Sequence, residues 1–335
     1  MRIAIVSDAW LPQINGVVRT LDTVRAKLAA AGHEFLVVGP DRFKTLPCPT
    51  YPEIRLALLP ARAVKRLLDD FAPDSIHIAT EGPLGMAARR YCLSRDLAFT
   101  TSFHTKFAEY LHARTRFPVS WSYAWLRRFH AASKRIMVAT PSLETELLEH
   151  GFDHLARWSR GVDTTLFRPR ADTLPDLARL KRPIWLYVGR VAVEKNIGAF
   201  LDLALDGTKL VVGDGPQLNH LKRKYPDVHF AGAHHGEALA RHYAAADVFV
   251  FPSRTDTFGL VLLEALASGL PVAAYPVTGP LDVIDGAPVG VLDDDLAGAA
   301  RRALALSRDA CRSHALNYSW DASATQFLTN LAPVR

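Results

Sequence analysis

Short, dense apolar runs alternate with helix-period segments along the whole chain. In the first half RIAIVS, EFLVVG, SIHIAT, AFTTSF and RIMVAT punctuate helical patterns such as 17–31, which Gly32 can end. In the second half PIWLYVG, KLVVGDG, VHFAG, VFVFPS and PVAAYP repeat the scheme. Strands that alternate with helices build parallel sheets, so two sets of five strands predict two α/β domains, each Rossmann-like. Between them WSRGVDTTLFRPRADTLPDLARLKRP carries three prolines and no sustained period, which reads as an interdomain connection. The expected division is 1–167, then 168–318, then a last helix in 319–335 that Ser319 can cap and that can pack back across either domain. Ligands of open α/β sheets lie beyond the carboxyl ends of the strands, so two such sheets are expected to face one another across a ligand cleft.

Composition sharpens this picture in four places. At 335 residues the chain exceeds what one hydrophobic core usually serves, in keeping with two domains. No apolar run approaches the roughly 20 residues that span a bilayer, and MRIAIVS enters a strand at once, so a cytoplasmic protein is expected. Cys48, Cys92 and Cys311 are far apart without metal or redox spacing and read as reduced packing residues. The net charge of +6 is uneven: residues 1–168 hold 23 Lys and Arg against 16 Asp and Glu, the remainder 17 against 18. That asymmetry points to an anionic surface, membrane or nucleic acid, as a partner of the first half.

The stretch SRTDTFGLVLLEALASGLPV, residues 253–272, carries two acids eight positions apart, Asp256 and Glu264, around a Phe258-Gly259 step. A helix starting near Gly259 and stopping at Gly269 presents the N–H groups of Gly259, Leu260 and Val261 to an anion, which the helix macrodipole also favours. Glu264 would repel a phosphate, but it suits the hydroxyls of a ribose; Asp256 suits those of a sugar beyond the diphosphate. The segment alone is equally compatible with Asp256 as a helix cap and Glu264 as a partly exposed helix acid. YVGRVAVEKN then places Arg190 and Lys195 after a strand on the same sheet edge, a fork and a point charge able to neutralise a leaving diphosphate. This coincidence favours the functional reading.

Four further features carry less. SDAWLPQINGVVRTL brings Gly16 to a helix start, a phosphate-approach position, although the stretch is not GxGxxG and weakens a dinucleotide reading. TTSFHTKF sets His104 just past a strand end, where a His can donate to a hydroxyl or to charge developing at a reacting centre. VVGDGP is a tight turn that can wall a nucleotide pocket or be a plain turn. The triplet Asp293, Asp294, Asp295 lies at a helix start and reads as solvated, so no metal is assigned.

From Arg114 to Arg135, Trp121, Tyr123, Trp125 and Phe129 are interleaved with Arg127, Arg128, Lys134 and Arg135. Aromatic and basic residues on one amphipathic element suit an anionic membrane interface as well as they suit a core-packed helix with a charged outer face.

Taken together, these motifs resemble the retaining glycosyltransferases of family 4, whose fold is the two-domain GT-B type. The most specific parts are GRVAVEKN and SRTDTFGLVLLEALASGLPV, and SYAWLRRFH and WSRGVDTTLFRPR resemble the bacterial lipid glycosyltransferases of that family, among them mannosyl-, sulfoquinovosyl- and glucuronosyl-transferases. The resemblance implies that Glu264 holds the ribose, that Asp256, a methylene shorter than the usual Glu, contacts the donor sugar, and that Arg190 and Lys195 bind the diphosphate. It also implies that Gly16 belongs to the N-domain glycine loop and that His104 contacts the donor sugar. Neither metal nor other cofactor is implied.

The expected activity is transfer of a hexose or hexuronic acid from a UDP- or GDP-linked sugar to a membrane lipid of diacylglycerol, ceramide or phosphatidylinositol type, with retention, on the inner face of the cell membrane. The family's favoured mechanism is front-face attack, in which the leaving phosphate helps deprotonate the acceptor and no carboxylate acts as nucleophile, unlike retaining glycosidases. The rivals are transfer to a soluble or polysaccharide acceptor, a nucleotide-sugar epimerase of the same fold, and a nonenzymatic nucleotide-sugar or nucleic-acid binding protein. No nucleic-acid module is recognised, and the missing glycine fingerprint makes an NAD dehydrogenase the weakest reading.

Overall fold

The computed structural model describes residues 1–13, 15–48, 51–171, 174–284 and 286–335, without the side chains of residues 51–53, 110 and 112–114. Ile14 of the Gly16 loop, Asp172 and Thr173 of the predicted connection, and the side chain of Arg114 therefore lie outside the described residues. The chain divides into two compact units, Met1–Arg160 with Trp320–Arg335, and Gly161–Ser319. The sequence placed the division near Phe167. Phe167 instead packs edge-on against Tyr243, and Arg312 donates to the carbonyls of Thr164, Phe167 and Ala267, which ties residues 164–167 to the second unit.

The first unit is built on strands β1 (Arg2–Val6), β2 (Glu34–Val38), the hairpin β3 (Thr45–Cys48) and β4 (Tyr51–Ala57), β5 (Ser75–Ile78), β6 (Thr100–Phe103), β7 (Arg135–Val138) and β8 (Leu155–Arg157). Six of them form one sheet in the order β2-β1-β5-β6-β7-β8, every pair parallel, while β3 and β4 pair separately. Both faces of this sheet are covered: Ala4 and Val6 of β1 pack with Ile76, Ile78 and Leu84, whereas Ile3 and Ile5 pack with Leu21, Trp158 and Phe327. A strand buried on both faces has no polar side, which is why RIAIV reads as an unbroken apolar run.

The last helix, Trp320–Asn330, belongs to this first unit. Trp158 Nε1 donates to Ser323 Oγ at 3.1 Å, Ser159 N to Gln326 Oε1 at 2.7 Å, and Asn330 Nδ2 to the carbonyl of Arg157 at 2.8 Å. Phe327 is fully buried against Trp158, and burial of such a ring contributes about 1.5–3 kcal/mol.

The second unit carries β9 (Ile184–Val188), β10 (Thr208–Val212), β11 (His229–Gly232), β12 (Val248–Phe251), β13 (Val272–Ala274) and β14 (Gly290–Leu292), parallel throughout and ordered β11-β10-β9-β12-β13-β14. Each sheet thus has six strands rather than the expected five. The additions, β8 and β14, are three-residue strands at the sheet edges. In both sheets the connections run one way from a central strand and then the other, so the switch lies between β1 and β5 in the first unit and between β9 and β12 in the second. Crevices at such points are where open α/β sheets take ligands.

Candidate active site

In the second unit the predicted residues gather at the switch point. Arg190 and Lys195 lie on the loop after β9, and Asp256 follows β12, on the other side of the switch. Lys195 is ion-paired with Asp256, Asn196 Nδ2 donates to the carbonyl of Pro252 at 3.0 Å, and Thr255 Oγ1 to the carbonyl of Glu194 at 3.3 Å, so the two loops are stitched together. Arg190 pairs with Glu194 at 3.2 Å, and the Glu194 side chain is almost wholly buried. Asp256 is therefore a partner of a cation and not a helix cap. Its second oxygen, Oδ2, is buried with no hydrogen-bond partner among the described residues, and a buried carboxylate oxygen left so is costly unless a ligand hydroxyl or cation meets it.

The turn 211–216 is built to approach the Arg190 loop. Val191 N donates to the carbonyl of Asp214 and Gln217 N to that of Val191. A Cβ on Gly213 would stand 1.9 Å from the carbonyl oxygen of Gly189, and one on Gly215 2.4 Å from that of Val191. Only glycine permits this contact, so the turn buttresses the loop that carries Arg190.

The helix after β12 spans Leu260–Ala267. Gly259 precedes it at φ +81, a conformation that excludes a normal side-chain cap, and Gly269 closes it at φ +72 as expected. The N–H groups of Gly259, Leu260 and Val261 find no acceptor among the described residues. Glu264 lies within this helix at 2% exposure, its Oε2 accepting from the Tyr243 hydroxyl at 2.9 Å, so the partly exposed alternative is excluded. One small region thus combines two cations, each balanced by one acid, three open amides and a buried carboxylate. Its net charge without ligand is low, and its amides and cations can take up the charge of a polyanion.

Gly16 and His104 belong to the first unit. Asn15 caps the helix Gly16–Ala30, its Oδ1 accepting from Val17 N and Val18 N at 3.0 Å each, so the amides that follow Gly16 already have an acceptor. His104 follows β6, held in a polar relay. Arg160 Nη2 faces His104 Nδ1 at 3.4 Å, His104 Nε2 lies 2.8 Å from Ser102 Oγ, Ser102 Oγ 3.1 Å from His77 Nε2, and His77 Nδ1 3.0 Å from Thr100 Oγ1. A guanidinium only donates, so His104 accepts at Nδ1 and donates at Nε2; Ser102 donates in turn to His77, which donates to Thr100. Both imidazoles are neutral in this scheme. Burial, then the nearby Arg160 charge, holds His104 well below 6.5, and the same two causes bring His77 down to about 3.

Arg160 was not singled out from the sequence. It is 4% exposed, lies over the Trp158 ring with Cζ 4.3 Å from the centroid, and donates to the carbonyl of Trp158 at 2.6 Å. Burial pulls it down to about 9, which leaves it charged at neutral pH. Tyr243 and Glu194 were missed as well. No local pattern links Tyr243 to Glu264, twenty-one positions away, whereas Glu194 stands four residues from Arg190 and is recoverable once the loop is known to coil.

The Asp triplet is occupied within the fold: Asp293 pairs with Arg302, Asp294 with Arg254, and Asp295 caps the helix Leu296–Ala303 at Gly298 N. Among the described residues no cluster of three or more His, Cys, Asp or Glu can hold a metal ion. Nor is any helix among them long and apolar enough to cross a membrane.

Comparison with known proteins decides the lineage. The sequence model of Glycosyltransferase Family 4 matches residues 14–166, and that of Glycosyl transferases group 1 matches residues 182–309. A GDP-mannose-dependent alpha-mannosyltransferase of Mycobacterium tuberculosis is 33% identical over 323 residues, 87% of this chain and 83% of that one. The chain belongs to glycosyltransferase family 4. It is an enzyme of the hexosyltransferase kind. An alpha-monoglucosyldiacylglycerol synthase of Streptococcus pneumoniae is 26% identical over 92% of this chain and 79% of its own. Among solved structures, a sucrose-phosphate synthase from Thermosynechococcus elongatus superposes with a TM-score of 0.80 at 22% identity, covering 98% of this chain and 97% of that one. The two parallel-sheet units of this glycosyltransferase are those of the GT-B fold.

Proposed function

We propose that this glycosyltransferase moves a hexose or hexuronic acid from a nucleoside diphosphate sugar to a hydroxyl of a membrane lipid, with retention of anomeric configuration. The observation that carries the donor half is the convergence at the β9/β12 switch of Arg190, Lys195, the open amides of residues 259–261 and the buried Glu264. In this reading the amides and both cations hold the diphosphate, Glu264, fixed by Tyr243, grips the ribose, and Asp256 Oδ2 accepts from a hydroxyl of the donor sugar. As the bond to the sugar breaks, negative charge grows on the diphosphate; groups already aimed there stabilise it without reorganising. A leaving phosphate that takes the acceptor proton makes an enzyme nucleophile unnecessary.

Two relatives support the substrate classes by name, one a GDP-mannose-dependent alpha-mannosyltransferase and one an alpha-monoglucosyldiacylglycerol synthase. Membrane contact is assigned to the helix Val119–His130. Tyr123 and Phe129 are buried in it, as the core-packed alternative has it. Trp121, 69% exposed, and Trp125, 42% exposed, stand outward beside the exposed Arg127 and Arg128, an apolar and cationic face suited to an anionic bilayer surface.

The test incubates the enzyme with GDP-mannose and a panel of UDP-sugars, presenting dioleoylglycerol, ceramide and phosphatidylinositol in phosphatidylglycerol-containing vesicles, with products read by mass spectrometry and anomeric configuration by NMR. A glycolipid of unchanged configuration is expected. Interconversion of donor sugars without any acceptor would establish the epimerase instead.

A further inference from the structure

The first unit has its own switch point, between β1 and β5, and a carboxylate stands there that neither the motifs nor the proposed donor chemistry uses. Glu81 follows β5 by three residues, at its carboxyl end. Its Oε1 lies 3.2 Å from Nε2 of His130, a side chain 1% exposed whose ring is surrounded by Phe103, Phe129 and Phe152 at centroid distances of 5.0–6.1 Å. Glu81 itself is partly open, at 23% side-chain exposure.

Hydrogen-bond direction settles the state of this pair. Ser133 Oγ donates to the carbonyl of His130 at 2.8 Å, since a carbonyl only accepts. Thr101 Oγ1, 3.1 Å from Ser133 Oγ, must then donate to it. His130 Nδ1, 2.9 Å from Thr101 Oγ1, has to be the donor of that contact. With its proton committed at Nδ1, the ring meets the carboxylate attractively only if a further proton lies between Nε2 and Oε1. The buried ring thus locks one carboxylate oxygen in place, and the other, Oε2, makes no hydrogen bond among the described residues on a side chain that is partly exposed.

The geometry points to Glu81 as an acceptor-binding residue, its free oxygen receiving a hydroxyl of the lipid's polar headgroup while His130, Thr101 and Ser133 act as positioning residues behind it. A carboxylate that is immobilised on one side and open on the other loses little entropy when a hydroxyl docks, and the end of β5 at the switch is where the fold takes ligands. The arrangement parallels Tyr243 and Glu264 in the second unit, where a buried partner likewise fixes one oxygen of a carboxylate. Glu81 is assigned binding and not proton abstraction, since the leaving phosphate already serves that purpose in the proposed reaction. This inference rests on the reading of the enzyme as a transferase to a lipid alcohol.

The experiment takes the full chain and, from dioleoylglycerol, ceramide and phosphatidylinositol, the acceptor that the wild type uses fastest, and compares it with Glu81→Gln, isosteric and partly exposed. The expected result is an acceptor KM raised at least tenfold, kcat within threefold, and a Kd for GDP within twofold. Ser133→Ala, which releases the direction of the relay, should raise the same KM two- to fivefold. An unchanged acceptor KM in Glu81→Gln, an equal loss of GDP affinity, or a collapse of kcat at constant KM would overturn the assignment. Absence of transfer to all three lipids by a wild type that binds GDP would overturn the lipid-transferase reading itself, and this inference with it.

Discussion

The two switch points of this enzyme differ in the polar groups they present. At β9/β12 the polar groups are charges: Arg190 and Lys195, each balanced by an acid, beside three amides with no acceptor among the described residues. At the carboxyl edge of the first sheet they are chains of hydroxyls and imidazoles, one reaching the Arg160 guanidinium and the other the Glu81 carboxylate. The first arrangement is soft toward charge, because a diphosphate can draw Lys195 and Arg190 toward itself and the amides gain an acceptor. The second is rigid, because each hydroxyl and ring nitrogen has its direction set by the next. The charged donor and the neutral alcohol acceptor of the proposed reaction call for those two kinds of surface.

This contrast can be broken experimentally, and the largest effect should come from the charged side. Lys195→Ala removes a cation from the leaving diphosphate and leaves Asp256 without its partner; kcat for sugar transfer should fall by about 10²–10³, on the scale of removing one preorganised donor at a site of developing charge. Near-normal turnover would show that the charges at this switch are structural.

The rigid side should respond to acid instead. His77, brought down to about 3 by burial and by Arg160, is neutral in the folded chain but titrates near 6.5 when unfolded. Its folded pKa is the lower one, so its contribution is full above about 6.5 and lost as pH falls from there toward 3; His104 shifts in the same direction. Between pH 7 and pH 5, urea unfolding should report a loss of about 2 kcal/mol from His77 alone. A flat profile over that range would mean that the relay is not neutral.

A smaller effect sharpens the parallel between the two carboxylates that buried partners hold. Glu264→Gln keeps the shape and the Tyr243 contact but loses the charge that strengthens a ribose hydrogen bond; GDP affinity by calorimetry should weaken about tenfold, or 1.4 kcal/mol. Smallest in folding energy is the simultaneous replacement of Trp121, Trp125, Arg127 and Arg128 by Ala. These side chains are exposed, so stability should move by less than about 1 kcal/mol, while flotation with phosphatidylglycerol liposomes should fail. Persistent flotation would remove this helix from the membrane surface.

Much of the fold was legible because its strands are buried on both faces and so read as apolar runs. All ten predicted strands are present, while the edge strands β8 and β14 and the separate hairpin of β3 and β4 were not predicted. In the helix Val119–His130 the spacing of Tyr123, Leu126, Phe129 and His130 marks the buried face, and counting aromatics without that period left open which of them face inward. The site was legible where chemistry is local, as in the Gly259 helix start. It was not where it depends on loops folding toward one another. The pairing of Lys195 with Asp256 and the directional chain behind Glu81 arise from backbone paths that no short motif encodes, whereas the cap that Asn15 gives the Gly16 helix is local and was overlooked.

The most direct test is a crystal of the enzyme soaked with GDP. The account predicts the β-phosphate within hydrogen-bond distance of the N–H groups of residues 259–261, Arg190 and Lys195 turned toward the diphosphate, and the ribose hydroxyls on Glu264. Nucleotide density at another place in the second unit, or in the first, would contradict it.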